Sequence, residues 1–316
     1  MRNIAFYRDA TFEQEAAVIV QCGYKITNDQ LNQICETVQT FSNLSQLELT
    51  HTICEHLSWH TASGRNKLDA CQKLLQRLEA QGLIRLPEKD KSRGVNGCQP
   101  NQPPLMSDKT QPQEEVAGNL SDILPVSLRV AHDKEEVSLV NEYLHRYHYL
   151  GYKKPFGCHL RYLIEARGMI LGCMLFSGAA KALRPRDRWI GWRKNERLRN
   201  LGFVVNNGRF LIFPWVNVRY LASHVLGKVV RLLRQDWLQC WEYQPAVLET
   251  FVDPKHFDGT CYRAANFRHL GMTSGTGLVR RGKNYTTSPK MIFVYPLVDN
   301  FRQVLCSPDT IGKEAQ

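Results

Sequence analysis

Leu160-Arg-Tyr-Leu-Ile-Glu165 and Met169-Ile-Leu-Gly-Cys-Met-Leu-Phe-Ser177, with Arg167-Gly168 between them, decide how the larger part of this chain folds. Two apolar runs of strand length across a glycine-bearing pair predict a β-hairpin. On its amino-terminal side, Glu135 to Tyr147 reads as a helix. On its carboxy-terminal side come a strand at Phe210-Leu-Ile-Phe213, a helix from about Leu221 to Leu233 and a buried strand at Val247-Leu-Glu-Thr-Phe-Val252. A short helix from about Tyr262 to Leu270 and a last strand at Met291-Ile-Phe-Val-Tyr-Pro-Leu297 complete the series. A meander followed by alternating helix and strand predicts one α/β (α+β) domain around a mixed sheet over residues 121–316.

The segment to about Pro87 reads differently. Thr27-Asn-Asp-Gln-Leu-Asn-Gln-Ile-Cys-Glu-Thr-Val38 opens on capping residues and repeats apolar positions at helical spacing. Ser45 to Leu57 repeats that pattern. After the polar turn Thr61-Ala-Ser-Gly-Arg-Asn66, a third helix runs from about Lys67 to Gln81, with Leu68, Cys71, Leu74, Leu75 and Leu78 on one face. Gly82 suits a helix C-cap, and Leu83-Ile-Arg-Leu-Pro87 reads as a short strand. This is the element order of a winged helix-turn-helix, assigned to residues 1–87. Residues 88–120 are rich in Pro, Gly, Asn, Gln and charge, and that composition predicts a flexible linker.

Composition sets the class. Of 316 residues, 43% are hydrophobic and 22% charged, which excludes a largely disordered or fibrous chain. No run of the ~18 apolar residues needed to span a bilayer occurs. Met1-Arg-Asn-Ile-Ala-Phe-Tyr-Arg-Asp9 lacks the apolar core of a signal peptide, so a soluble cytoplasmic protein is expected. Ten scattered cysteines without a C-x-x-C pair read as reduced thiols, not as disulfides or a zinc site. The net charge of +11 is unevenly placed. Residues 120–316 carry 29 Lys+Arg against 16 Asp+Glu, whereas residues 1–119 carry 12 against 14. That imbalance points to a polyanionic partner such as nucleic acid; the expected partner is DNA, single-stranded or duplex, with DNA against RNA left open by charge alone.

Two segments carry family resemblances. Gly64 to Ile84 resembles the recognition-helix region of winged-helix DNA-binding domains, with Arg65, Lys67, Lys73, Gln76 and Arg77 on the polar face. The carboxy-terminal part resembles the DruA family over some 180 residues. The resemblance lies in Tyr147-His-Tyr-Leu-Gly-Tyr152, Arg184-Pro-Arg-Asp-Arg-Trp-Ile-Gly-Trp192, Asn206-Asn-Gly-Arg-Phe-Leu-Ile212, Leu221 to Leu226, Glu249-Thr-Phe-Val-Asp-Pro254 and Gly259 to Phe267. Membership implies a role in the Druantia anti-phage system or a mobile element, beside other defence-system subunits.

The same region is similar to the GNAT acyltransferases, through Asn206 to Pro214, Ala246 to Pro254 and Asn266-Phe-Arg-His-Leu-Gly-Met272. It departs from them twice. Asn217-Val-Arg-Tyr-Leu-Ala-Ser223 lacks the glycines whose bare amides would receive the coenzyme A pyrophosphate. Phe267 stands in the slot of the general-acid tyrosine, with Tyr262 the nearest substitute. Coenzyme-dependent acyl transfer is therefore not expected, and micromolar acetyl-coenzyme A should give no one-site isotherm.

Candidate contacts follow from chemistry. Arg184, Arg186, Arg188, Arg193, Arg197 and Arg199, with Trp189 and Trp192 interleaved, combine guanidinium groups for phosphates with indole faces for bases. Arg209 and the loop bearing Arg280, Arg281 and Lys283 extend that footprint. Asp187, Glu249 and Asp253, with His256, are the candidate ligands of Mg2+ in a nuclease or strand-transfer enzyme, the alternative function. Tyr262, beside Thr260 and Cys261, is a candidate nucleophile with no base next to it in sequence. His145, His148 and His159 lack metal-ligand spacing and read as ordinary histidines.

Overall fold

The computed structural model describes residues 19–21, 24–41, 44–62, 64–87, 104, 106–155, 157–275 and 288–307. The chain divides into two compact units, the first helical and the second built on a sheet.

In the first unit a short antiparallel hairpin, β1 (Ile19–Gln21) and β2 (Tyr24–Ile26), precedes three helices: α1 (Asn28–Thr40), α2 (Gln46–His56) and α3 (Leu68–Ala80). Thr27 with Gln30, and Ser45 with Glu48, form capping boxes at the first two helices, which fixes where each starts. Ile34, Val38, Leu49, Ile53, Cys54, Cys71, Leu74, Leu75 and Leu78 form the core, so the helical periodicity identified the buried face. The strand expected at Leu83–Pro87 is absent. Among the described residues that stretch has no ladder partner; Leu86 N–H donates to Glu79 Oε1 at 2.9 Å and Gln46 Nε2 donates to the Pro87 carbonyl at 2.7 Å instead.

The second unit carries a seven-stranded mixed sheet in the order β10-β11-β9-β7-β6-β5-β4. These strands are β4 (Val126–Val130), β5 (Leu160–Ala166), β6 (Met169–Gly178), β7 (Val204–Ile212), β9 (Val247–Val252), β10 (Arg268–Met272) and β11 (Met291–Pro296). Arg167 and Gly168, both at positive φ, close the expected β5–β6 hairpin. Among the described residues of this sheet, only the pairing of β7 with β9 is parallel, and the two are joined by the 21-residue helix α7 (Leu221–Trp241). Helix α4 (Lys134–Tyr147) packs with α7 on one face through Val140, Tyr143, Leu144, Val225, Val229 and Leu233. Helices α5 (Arg184–Ile190) and α9 (Phe301–Leu305) cover the other face through Leu183, Ile190, Phe301 and Leu305. Successive residues of β9 and β11 thus enter opposite cores, Val247 and Ile292 one, Leu248 and Phe293 the other. Both strands are mostly apolar for that reason, with Glu249 and Thr250 the polar exceptions in β9.

Three points need correction. The short helix α8 covers only Thr260–Ala264, and the chain then turns into β10; Phe267 precedes a strand. The basic stretch 184–199, given no element above, is two helices, α5 and α6 (Lys194–Asn200). The carboxy-terminal part of the expected 88–120 linker is folded: Thr110 is fully buried, and β3 (Val116–Gly118) pairs in parallel with β8 (Val216–Val218). Glu142 on α4 holds this segment, accepting hydrogen bonds from Ser107 N–H at 2.6 Å and from the Ser107 and Thr110 hydroxyls at 2.9 and 2.5 Å. Polar composition concealed that docking because its anchors are themselves hydroxyls and amides.

Candidate nucleic-acid interface and cleft

The α5–α6 corner is organised by one buried guanidinium. Arg186 is 0% exposed; its Nη1 donates to Glu249 Oε2 at 2.8 Å and to the Ala180 carbonyl at 2.9 Å, and its Nε and Nη2 donate to Asp187 Oδ1. Ala180 N–H donates to the other Glu249 oxygen at 2.8 Å. Asp187 also accepts from Trp192 Nε1 at 3.1 Å and Arg197 Nη1 at 2.9 Å. Trp192 lies under the Arg186 guanidinium, with its ring centroid 5.5 Å away. Complete burial raises the Glu249 carboxyl, and Arg186 opposes that rise. Burial would also raise Asp187, but Arg186 and Arg197 outweigh it and hold that carboxyl below its ordinary range.

Arg186 and Trp192 are thus buried within this cluster, and the half-buried Arg197 is tied into it through Asp187. Trp189 is half-buried and stacks on Phe301 at 4.6 Å; Arg199 is half-buried. Arg184, Arg188, Arg193 and Lys194 remain in solvent. The acids of this stretch turn inward: Asp187 into the arginine cluster, and Glu196 onto the Arg193 N–H at 2.6 Å. An exposed surface richer in cations than the sequence of the stretch results. On α3, Arg65 before the helix and Lys73, Gln76 and Arg77 along it are exposed, while Lys67 is half-buried. Arg280, Arg281 and Lys283 lie outside the described residues.

The proposed magnesium ligands are not gathered. Glu249 and Asp187 are joined by Arg186, while Asp253 accepts from Lys255 N–H at 3.0 Å and Ser288 Oγ at 2.9 Å. Among the described residues no group of three or more His, Cys, Asp or Glu is placed to hold a metal ion. A guanidinium between two carboxylates occupies the lone pairs a cation would need. His256 lies exposed against Tyr149, with ring centroids 4.9 Å apart.

A second feature was missed by sequence reasoning. The parallel ladder of β7 and β9 runs for four pairs, from Val204–Val247 to Asn207–Thr250, and then stops. Beyond it β7 follows β6 and β9 follows β11. A bulge at Gly208, between the pairs Asn207–Phe176 and Arg209–Leu175, marks the divergence. The opening is a cleft of about 560 Å³ lined by Asn207, Phe210, Thr250, Tyr262, the 148–150 turn and the 256–260 turn. Tyr262 stands in its wall, buried, with its hydroxyl donating to Asn207 Oδ1 at 3.2 Å; burial pushes its phenol pKa up. Thr250 Oγ1 donates to the Asn207 carbonyl at 3.0 Å. Cys261 is half-buried with its thiol pushed up by burial, and Thr260 is exposed. His148, pushed down to about 4 by burial and then by Arg209 and Lys290, is a neutral ring at neutral pH. Arg209 donates to the carbonyls of Gly151 and Gly208. The aromatic run Tyr147 to Tyr152 carried a signal for this site, but nothing local placed it opposite β9.

Fold and site define the class: a two-unit α/β protein with a mixed sheet, a cleft where the parallel strands β7 and β9 part, and a cation-rich helical corner. The chain belongs to the family of the Druantia protein DruA, whose profile matches residues 77–288. No curated protein sequence matches it. Among solved structures it is similar to a Bacillus subtilis acetyltransferase in complex with CoA, at 8% identity and TM-score 0.32, over 55% of this chain and 99% of that one. It is similar to the aminoglycoside acetyltransferase AAC(6')-Ib in complex with coenzyme A, at 18% identity and TM-score 0.34, over 54% and 94%. A spermidine N-acetyltransferase chimera from Vibrio cholerae and hSSAT gives 8% identity and TM-score 0.36 over 54% and 95%. Among the described residues no helix is long and apolar enough to cross a membrane.

Proposed function

We propose that this chain is a cytoplasmic DNA-binding protein of anti-phage defence or of a mobile element, acting beside other defence-system subunits. The observation that carries the reading is the division of charge at the α5–α6 corner. Asp187 and Glu196 are consumed internally while Arg184, Arg188, Arg193 and Lys194 face solvent, in a unit with a large cationic excess. The exposed Lys73, Gln76 and Arg77 of α3 support a second contact made by the helical unit, in the manner of a winged helix. Fluorescence anisotropy of labelled single and double strands against salt tests it. Binding should weaken steeply with salt, by about 0.9 log unit per log salt for each phosphate neutralised on duplex. No binding at low salt would refute the reading.

A second reading, acyl transfer, draws on Tyr262 in the wall of the cleft where β7 and β9 part. In this reading the Tyr262 hydroxyl would serve as the general acid that Phe267 cannot supply, which would answer one of the two sequence arguments against acyl transfer. The other stands: Val216–Val218 is a paired strand, and Tyr220, not glycine, is the N-cap of α7. The metal-dependent nuclease reading has no gathered ligand set behind it among the described residues, and Mg2+ is not part of the proposal.

A further inference from the structure

At the mouth of the β7–β9 cleft two large aromatic rings are held in water. Tyr149 is 41% exposed and Phe257 54% exposed, and their ring centroids lie 5.6 Å apart. They come from turns far apart in sequence, one following α4 and the other following β9. His148 stacks on Tyr149 at 4.9 Å, and His256 lies at the same distance on its other contact. Water disfavours such an arrangement unless a partner covers it, and four rings converging on one opening constitute a surface for a flat, polarisable ligand. The space behind them, about 560 Å³, accepts a small heterocycle with its sugar. Its walls offer hydrogen-bonding edges, the Tyr262 and Thr250 hydroxyls within and the exposed Asp258 at the rim.

The surroundings specify what the ligand is attached to. Arg209 and Lys290 act on His148, Lys255 precedes His256, and exposed Lys153 and Lys154 follow the Tyr149 turn. Aromatic faces at a mouth flanked by cations match a base on a phosphodiester chain. A base inside a duplex cannot reach such a recess; only an unpaired or extruded one can. Resting on the DNA-binding reading above, we propose that this cleft receives a single unpaired nucleobase of the bound strand, stacked on Tyr149 and Phe257.

The test uses the full chain and a single strand carrying photoreactive iodouracil and a fluorophore. The crosslink is expected in peptides containing residues 147–152 or 256–263. The double variant Tyr149→Ala with Phe257→Ala should lose affinity for the single strand by on the order of tenfold or more, whereas Phe257→Tyr retains it. Both rings are exposed, so folding should survive, which circular dichroism checks. Binding that is undiminished in the double variant, with crosslinks elsewhere, overturns the cleft assignment and leaves DNA binding standing. No binding of any strand overturns both. A one-site acetyl-coenzyme A isotherm that displaces the crosslink makes the cleft a thioester site and also overturns it.

Discussion

Arg186 shows how one side chain changes the meaning of its neighbours. Asp187, Glu249 and Asp253 are the residue types a metal site requires, and sequence spacing alone made them candidates. The deciding fact is that a fully buried guanidinium joins Glu249 to Asp187, and nothing in the order of residues places Arg186 against a strand that begins some sixty positions later. Breaking such a pair by removing one member leaves a buried charge uncompensated. Arg186→Met is therefore expected to destabilise the second unit by about 3–5 kcal/mol, read as a lowered denaturant midpoint. Arg188→Met, at an exposed position two residues on, should change stability by less than about 0.5 kcal/mol. Equal effects of the two variants would contradict the assignment of Arg186 as structural.

Among the elements, α1 to α4 and α7 were legible because caps and periodicity act locally, whereas the short α5, α6 and α9 were not and α8 was drawn too long. α1 and α2 begin one residue after Thr27 and Ser45, as their capping boxes dictate. The β5–β6 hairpin was legible for the same reason. β4, β8 and the parallel pairing of β3 were not, since short strands take their identity from partners far along the chain. The cleft belongs to this second class: it exists where a ladder ends, and no residue type announces that. The docking of residues 107–110 on Glu142 allows a pH prediction. Burial would raise the Glu142 carboxyl, but hydrogen bonds from Thr110 and Ser107, with Arg146 nearby, hold it below its ordinary range. A carboxylate lowered in the fold stabilises above its unfolded pKa, and that stabilisation is lost as pH falls through its folded value. Asp187 acts in the same sense and Glu249, raised by burial, in the opposite one. Melting temperature is expected to fall as pH drops from about 5 toward 2. Glu142→Gln should cost about 1–3 kcal/mol near neutral pH and flatten that dependence. Faster amide exchange at residues 107–118 would locate the loss, and unchanged exchange there would contradict the anchoring role.

For the molecule as a whole, charge was the most legible property and its distribution the least. Counting residues located the cationic excess in the second unit; only the fold separates arginines spent inside from those left outside. Reversing Arg184, Arg188 and Arg193 to Glu should weaken DNA binding and lower the salt slope by about three phosphate equivalents, with the fold intact. Anisotropy titrations at several salt concentrations read both quantities, and an unchanged slope would remove this corner from the interface. The sheet order has a practical consequence for anyone excising the matched region. The family match ends at residue 288, yet β11, at Met291–Pro296, lies inside the sheet between β10 and β9. Its other limit, residue 77, cuts α3 one position before buried Leu78. A fragment with those limits would bare one edge of β9 and leave β10 without its neighbour. Such naked edges recruit other chains. Expression of residues 77–288 should yield inclusion bodies, and a fragment extended through α9 should elute as a discrete soluble species on size exclusion.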